Sequence, residues 1–134
     1  MTKDNGRYAR GLEQRREVLG DEHVERALRQ ATEFSGPAQE FVTEFCWGDV
    51  WTRPGLDRRT RSLINLAMLT ALNRKHEFRV HVRGAVNNGC TTEEIQETLL
   101  QTIVYCGAPA GLEAFREAQA VLDELAAERD GAPA

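Results

Sequence analysis

Apolar residues recur every three to four positions along most of the chain. No stretch alternates apolar and polar as a half-buried strand would. Tyr8, Leu12 and Leu19 mark a first amphipathic helix. Asp21 caps a second, whose apolar face is Val24, Ala27, Leu28 and Ala31. Ser35-Gly36-Pro37 opens a third, with Ser35 as cap and Pro37 in the first turn. It carries Phe41, Val42, Phe45 and the pair Trp47/Trp51, and Arg53-Pro54-Gly55 breaks it. Asp57 starts a fourth helix with Leu63, Ile64, Leu66, Ala67, Met68, Leu69, Ala71 and Leu72. Apolar residues cover most of its circumference, which predicts a central helix buried on several sides. The fifth runs from Arg74 or Lys75 to Asn87, and Asn88-Gly89 closes it through a left-handed cap. Thr91 and Glu94 form a capping box for the sixth, which is expected to bury Ile95, Leu99, Ile103 and Val104 and to stop at Gly107. Pro109 lies in the first turn of the last helix, with Leu112, Phe115, Val121, Leu122 and Leu125 on it. Residues 128–134 are expected to form a flexible tail. These elements predict an all-α class: a compact single-domain bundle of six or seven helices spanning residues 1–134.

Composition narrows the class. With 134 residues, 41% apolar and 28% charged, the chain is globular and fits one domain. So many short helices leave little interior, which predicts a homo-oligomer. A net charge of −4 offers no basic face for nucleic acid. The longest apolar run, residues 63–72, is interrupted by Asn65 and Thr70 and is far short of the roughly 20 residues a membrane span needs. Lys3, Asp4, Asn5 and Arg7 leave no apolar segment for a secretory signal near the first residue. Cys46, Cys90 and Cys106 are odd in number and far apart. They read as small buried hydrophobes in a reducing cytoplasm.

The richest chemistry lies in the fifth helix. At about 100° per residue, Arg74, Glu77, His81 and Asn88 share one face, with Gly84 and Ala85 between them leaving room for a ligand. Two readings of this face stand. One is an ordinary surface ion pair between Glu77 and His81. The other is a proton-handling site, favoured by the apolar stripe Phe78, Val82 and Ala85 beside His81, which predicts a partly buried imidazole. Metal binding fits poorly, because His76 and His81 lie about 140° apart around the helix. Arg53, Arg58, Arg59 and Arg61 cluster ahead of the fourth helix. Cations at a helix N-terminus oppose its dipole, so an anionic ligand explains them better than helix stability does. Arg79 and Arg83 point away from His81, toward the surface or a subunit contact. Trp47 and Trp51 read either as core packing or as a pocket wall.

The run Trp47-Gly48-Asp49-Val50-Trp51-Thr52-Arg53-Pro54-Gly55-Leu56, followed by Arg61-Ser62-Leu63, resembles the central segment of the 4-carboxymuconolactone decarboxylases. His81-Val82-Arg83-Gly84-Ala85-Val86-Asn87-Asn88-Gly89 is similar to the next signature of that family. Residues 7–20 and 105–110 resemble its ends. The fold implied is alkylhydroperoxidase-like. The redox branch of that superfamily carries C-x-x-C-x-x-x-H. Aligned on His81, this chain has Arg74 and Glu77 in the two cysteine places, and Ser62 falls where that branch has a glutamate. The dithiol is absent, so thiol–disulfide chemistry is not available there.

The resemblance implies decarboxylation of a dicarboxylate lactone in the cytoplasm, without a cofactor or metal, by an oligomer built from trimers into a hexamer. It implies His81 as proton donor or oxyanion donor, with Glu77 orienting and charging it. Arg61 and Arg53, with Arg74 in reserve, would hold carboxylates, and Trp47 or Trp51 would wall the pocket. The alternatives are a related lactone or β-keto-type acid decarboxylase of another pathway, a peroxidase-like redox protein, and a non-catalytic helical binding module.

Overall fold

The structure is a computed structural model and describes residues 6–131. Lys3, Asp4 and Asn5 of the charged N-terminal stretch, and the last three residues of the expected tail, lie outside that range. Among the described residues the chain is helical throughout, with no strand, as the all-α reading requires. The helices are α1 (Arg7–Leu19), α2 (Asp21–Gln30), α3 (Gly36–Phe41), α4 (Arg58–Leu72), α5 (Lys75–Asn87), α6 (Thr92–Cys106) and α7 (Ala108–Gly131). The third does not continue as an α-helix. From Val42 to Val50 it widens into a π-helix, a rare form that is frequent at functional sites. The chain divides into two compact units, one ending at Arg58 and the other beginning at Arg59.

In the first unit α1 packs against the π-helix. The approach is backbone to backbone, because Gly11 faces Thr43 and Gly48, and Gly48 faces the Arg7 carbonyl. Val18, Leu19, Val24, Trp47 and Trp51 form the apolar interior. Ser35 precedes α3 as expected, but its hydroxyl accepts from the Thr32 amide rather than from α3.

In the second unit α7 lies against both α5 and α6. The core is Leu66, Phe78, Val82, Ala85, Cys90, Ile95, Leu99, Ala114, Ala118 and Val121. The expected punctuation holds. Thr91 and Glu94 close a reciprocal capping box. Gly89 takes φ +89°, and the Cys90 amide reaches back to the Ala85 carbonyl at 2.9 Å. Asn73 is left-handed at φ 58°, a conformation asparagine tolerates, and it turns α4 back into α5.

Four expectations need correction. α4 is not covered on all sides within one chain: it buries Ser62, Leu66 and Thr70 and leaves Ile64, Met68 and Leu72 exposed. Val104 is likewise exposed, because Thr102 takes the inward position on α6. Of the cysteines only Cys90 is buried, and all three are free thiols. The last helix does not fray at Glu128 but runs to Gly131. There Arg83 bonds Glu124 at 3.0 Å and Glu128 at 2.7 Å, while Arg79 bonds Glu117 and Glu124. These pairs also settle where Arg79 and Arg83 point: onto α7. No helix among the described residues is long and apolar enough to cross a membrane.

Candidate active site

The α4–α5 hairpin carries the histidine. Phe78, Val82 and Ala85 are buried and fix the inward face of α5, which leaves His81 half-buried at its edge. Asn65 Nδ2 of α4 lies 3.5 Å from His81 Nδ1. Nearer the hairpin's open end, Asn88 Nδ2 donates to the buried Ser62 Oγ at 2.9 Å. Two polar cross-links therefore tie α4 to α5 on the face that sequence spacing assigns to His81 and Asn88. Asn65 was visible in the sequence only as a polar break in an apolar run. Its pairing with His81 needed the hairpin geometry.

Glu77 and Arg74 are exposed. Arg74 lines a small cleft with Lys75, Phe78, Asn73, Glu113 and Glu117, and His81 is not among the lining residues. In that cleft Lys75 Nζ and Glu113 pair at 2.8 Å. The hydrogen bond and charge of each partner raise the Lys75 pKa and lower that of Glu113.

The arginine cluster separates. Arg58 bonds Glu17 and the Gln14 Oε1, and Arg59 bonds Glu94, so protein carboxylates already serve both. Arg61 is half-buried on α4, and Arg53 is exposed in the loop after the π-helix. In the first unit Trp47 and Trp51 stack with ring centroids 4.7 Å apart and planes 19° apart, both nearly fully buried. Gln14 Nε2 donates to the Trp51 carbonyl at 3.3 Å. Arg15, which charge pattern alone assigns to a solvated surface, is buried there and donates to Thr43 Oγ1 at 3.1 Å. Of the candidate site residues, Trp47, Trp51 and Arg53 lie in the first unit and Arg61, Arg74, Glu77 and His81 in the second. Among the described residues no three His, Cys, Asp or Glu side chains gather as metal ligands.

The described residues thus give an all-helical chain with a half-buried histidine on the α4–α5 hairpin. Comparison with known proteins identifies its family. The model of the carboxymuconolactone decarboxylase family matches residues 36–120. The chain belongs to that family. It is 46% identical to a 4-carboxymuconolactone decarboxylase of Acinetobacter baylyi over 122 residues, covering 91% of each chain. It is also 46% identical to the nitrosuccinic acid decarboxylase npaB of Metarhizium robertsii over 118 residues, covering 88% of this chain and 82% of the relative. A 4-carboxymuconolactone decarboxylase of Pseudomonas putida matches over 43 residues at 46% identity, covering 32% of this chain and 90% of the relative.

Proposed function

We propose that the protein decarboxylates 4-carboxymuconolactone to 3-oxoadipate enol-lactone, a step in aromatic-acid breakdown, without a cofactor. The observation that carries this reading is 46% identity along nine-tenths of a relative of that name. The half-buried His81 provides a group suited to the chemistry.

The substrate supplies its own electron sink. Loss of CO2 from the ring γ-carbon pushes the bonding pair through the double bond to the lactone carbonyl, giving a dienolate that resembles a 2-oxyfuran. A proton must then reach the carbon α to that carbonyl. His81 is the donor in this reading. Asn65, which approaches Nδ1, orients the ring so that the imidazolium gives its Nε2 proton to the dienolate and returns to neutral imidazole. Glu77 lies one turn away and is exposed, so its charge acts on His81 only through solvent screening. Arg61 and Arg53 hold carboxylates through the forked donors that suit them. The stacked Trp47/Trp51 pair offers an apolar surface, where neutral CO2 is favoured over its anion.

A second reading has its own support in the equal identity to the nitrosuccinic acid decarboxylase. Both acids place the leaving carboxylate on a carbon that also bears an electron acceptor and a CH2COO⁻ arm. In one the acceptor is an unsaturated lactone, in the other a nitro group. One assay separates them: purified protein with chelator present is offered each acid, and CO2 and product are followed. The expected result is a far larger kcat/KM for the lactone. Turnover of the nitro acid alone would move the assignment to the second reading, and no turnover of either would remove both.

In the same proposal the chain acts in the cytoplasm, which its free thiols suit, and as a trimer or a hexamer built from trimers. Exposed Ile64, Met68 and Leu72 recur at four-residue spacing on α4 and form an apolar helix stripe that a second copy would cover. Light scattering should give a mass of at least three times 15.0 kDa. A monomer at micromolar concentration would refute this assembly.

A further inference from the structure

We infer that Arg15 binds a carboxylate of the substrate, a role that rests on the decarboxylase reading above. Arg15 lies on α1 with 6% of its surface exposed. A guanidinium has five N–H donors in a fixed fork. Here Nη1 meets one neutral hydroxyl, Thr43 Oγ1 at 3.1 Å, and Nε is fully buried with no hydrogen-bond partner among the described residues.

Several carboxylates of the first unit pair with other arginines. Asp49 pairs with Arg7 and Arg10, Asp21 and Glu25 pair with Arg16, and Glu17 pairs with Arg58. Burial pushes the Arg15 pKa down, opposed by Tyr8 and Cys46, neither of them a carboxylate. Removing a cation from water without an anion is among the costlier arrangements a fold can hold.

The surroundings fix the group in place. The glycine contacts at Gly11 and Gly48 press α1 onto the π-helix, and Thr43, the hydroxyl that receives Nη1, is itself fully buried. Its neighbour Gln14 is buried and bridges the Trp51 carbonyl and Arg58. A rigid cation with unused forked donors, in the unit that also carries the stacked tryptophans, suits a planar carboxylate. Both acids considered above have two carboxylates, one leaving and one staying on its CH2 arm. The arm that stays needs a permanent cationic partner; in this inference Arg15, which no carboxylate among the described residues bonds, takes that arm, and Arg61 and Arg53 are left for the carboxylate that departs.

The test uses the intact wild-type protein, labelled with 15N, and succinate as an unreactive dicarboxylate. The Arg15 Nε–H resonance should shift saturably with succinate and much less with propionate. In turnover, Arg15→Lys and Arg15→Gln should raise KM roughly 10- to 100-fold, the equivalent of a lost charge-assisted hydrogen-bond set. The change in kcat should be smaller and its pH profile unchanged, because the proton donor is untouched. An Arg15 resonance indifferent to succinate concentrations that inhibit turnover would overturn the inference. So would folded variants with wild-type KM, or a shift that follows protein concentration and not succinate, which would point to a carboxylate of a second copy. If the variants do not fold, the wild-type titration still decides. If the protein turns over neither acid but succinate still shifts Arg15, the carboxylate site stands and only the decarboxylase reading falls.

Discussion

Replacing Gly11 by alanine tests the junction on which the first unit depends. A β-carbon there would land on the Thr43 carbonyl oxygen and lie 2.8 Å from the Gly48 amide nitrogen. Both obstacles are backbone, so neither can rotate away, and α1 must retreat from the π-helix. Overpacking of this kind costs about 1–3 kcal/mol, occasionally more. The retreat also stretches the Arg15–Thr43 bond, and hydrogen bonds from charged donors are worth about 1.5–3 kcal/mol. Alanine gives back about 1 kcal/mol of helix propensity. The net is a loss of about 1.5–5 kcal/mol, which for a chain of this size lowers Tm by roughly 5–20 °C. Calorimetry measures the Tm, and near-ultraviolet circular dichroism follows the Trp47/Trp51 stack, which should loosen. Gly36→Ala is the control, since nothing lies within 4 Å of its added carbon. It should be neutral or stabilise by up to about 1 kcal/mol. A Gly11→Ala protein with wild-type Tm and tryptophan signal would refute the packing argument.

Three further outcomes are expected. His81→Ala should cut kcat by roughly 10²–10⁴, the usual loss for a general acid. Asn65→Leu should cut it about 3- to 10-fold through one lost orienting hydrogen bond. Wild-type kcat in a folded His81→Ala protein would return His81 to the role of a packed helix residue. The end of α7 should loosen in acid. The hydrogen bond from Arg83 lowers the pKa of Glu128. A depressed carboxylate stabilises the fold above its unfolded pKa of about 4.3, and that contribution is lost as pH falls through the lower folded value. Amide exchange over the last turns of α7 should therefore accelerate from pH 7 to pH 3, after correction for intrinsic rates. Unchanged protection would contradict the clasp.

Local chemistry was legible wherever a short segment decides the outcome. The Thr91/Glu94 box, the left-handed Gly89 and the Trp47/Trp51 pair all depend on neighbours a few residues away. The π-helix was not legible. Shifting hydrogen bonds from four residues back to five leaves the apolar spacing of Phe41, Phe45 and Trp47 nearly unchanged, so periodicity does not distinguish the two. Arg15 was hidden for another reason. It sits in a charged run, Gln14-Arg15-Arg16-Glu17, and its burial follows from two glycines far apart in sequence. Asn65 falls between these cases: its polarity stood out, but its partner lay across the hairpin. Of the arginines, Arg58 and Arg59 lost their case as ligand binders because Glu17 and Glu94 reach them, contacts of long sequence separation.

α4 shows how one helix serves these demands together. Ser62, Leu66 and Thr70 are its buried positions, and Ile64, Met68 and Leu72 its exposed ones. Each set recurs every four residues, and the two lie about 200° apart around the helix. A helix built only to stabilise its own chain would place the aliphatic set inward and the hydroxyls outward. The reversal has a local reason on the inner side. Ser62 receives Asn88, Thr70 returns its hydroxyl to the Leu66 carbonyl at 2.7 Å, and Asn65 beside them reaches His81. Every buried hydroxyl on α4 thus has a partner, so the polar face does not carry the cost of unsatisfied groups. Ile64, Met68 and Leu72 lie on the opposite, exposed side of the helix. The proposed proton-handling hairpin and the proposed assembly thus draw on opposite sides of one helix.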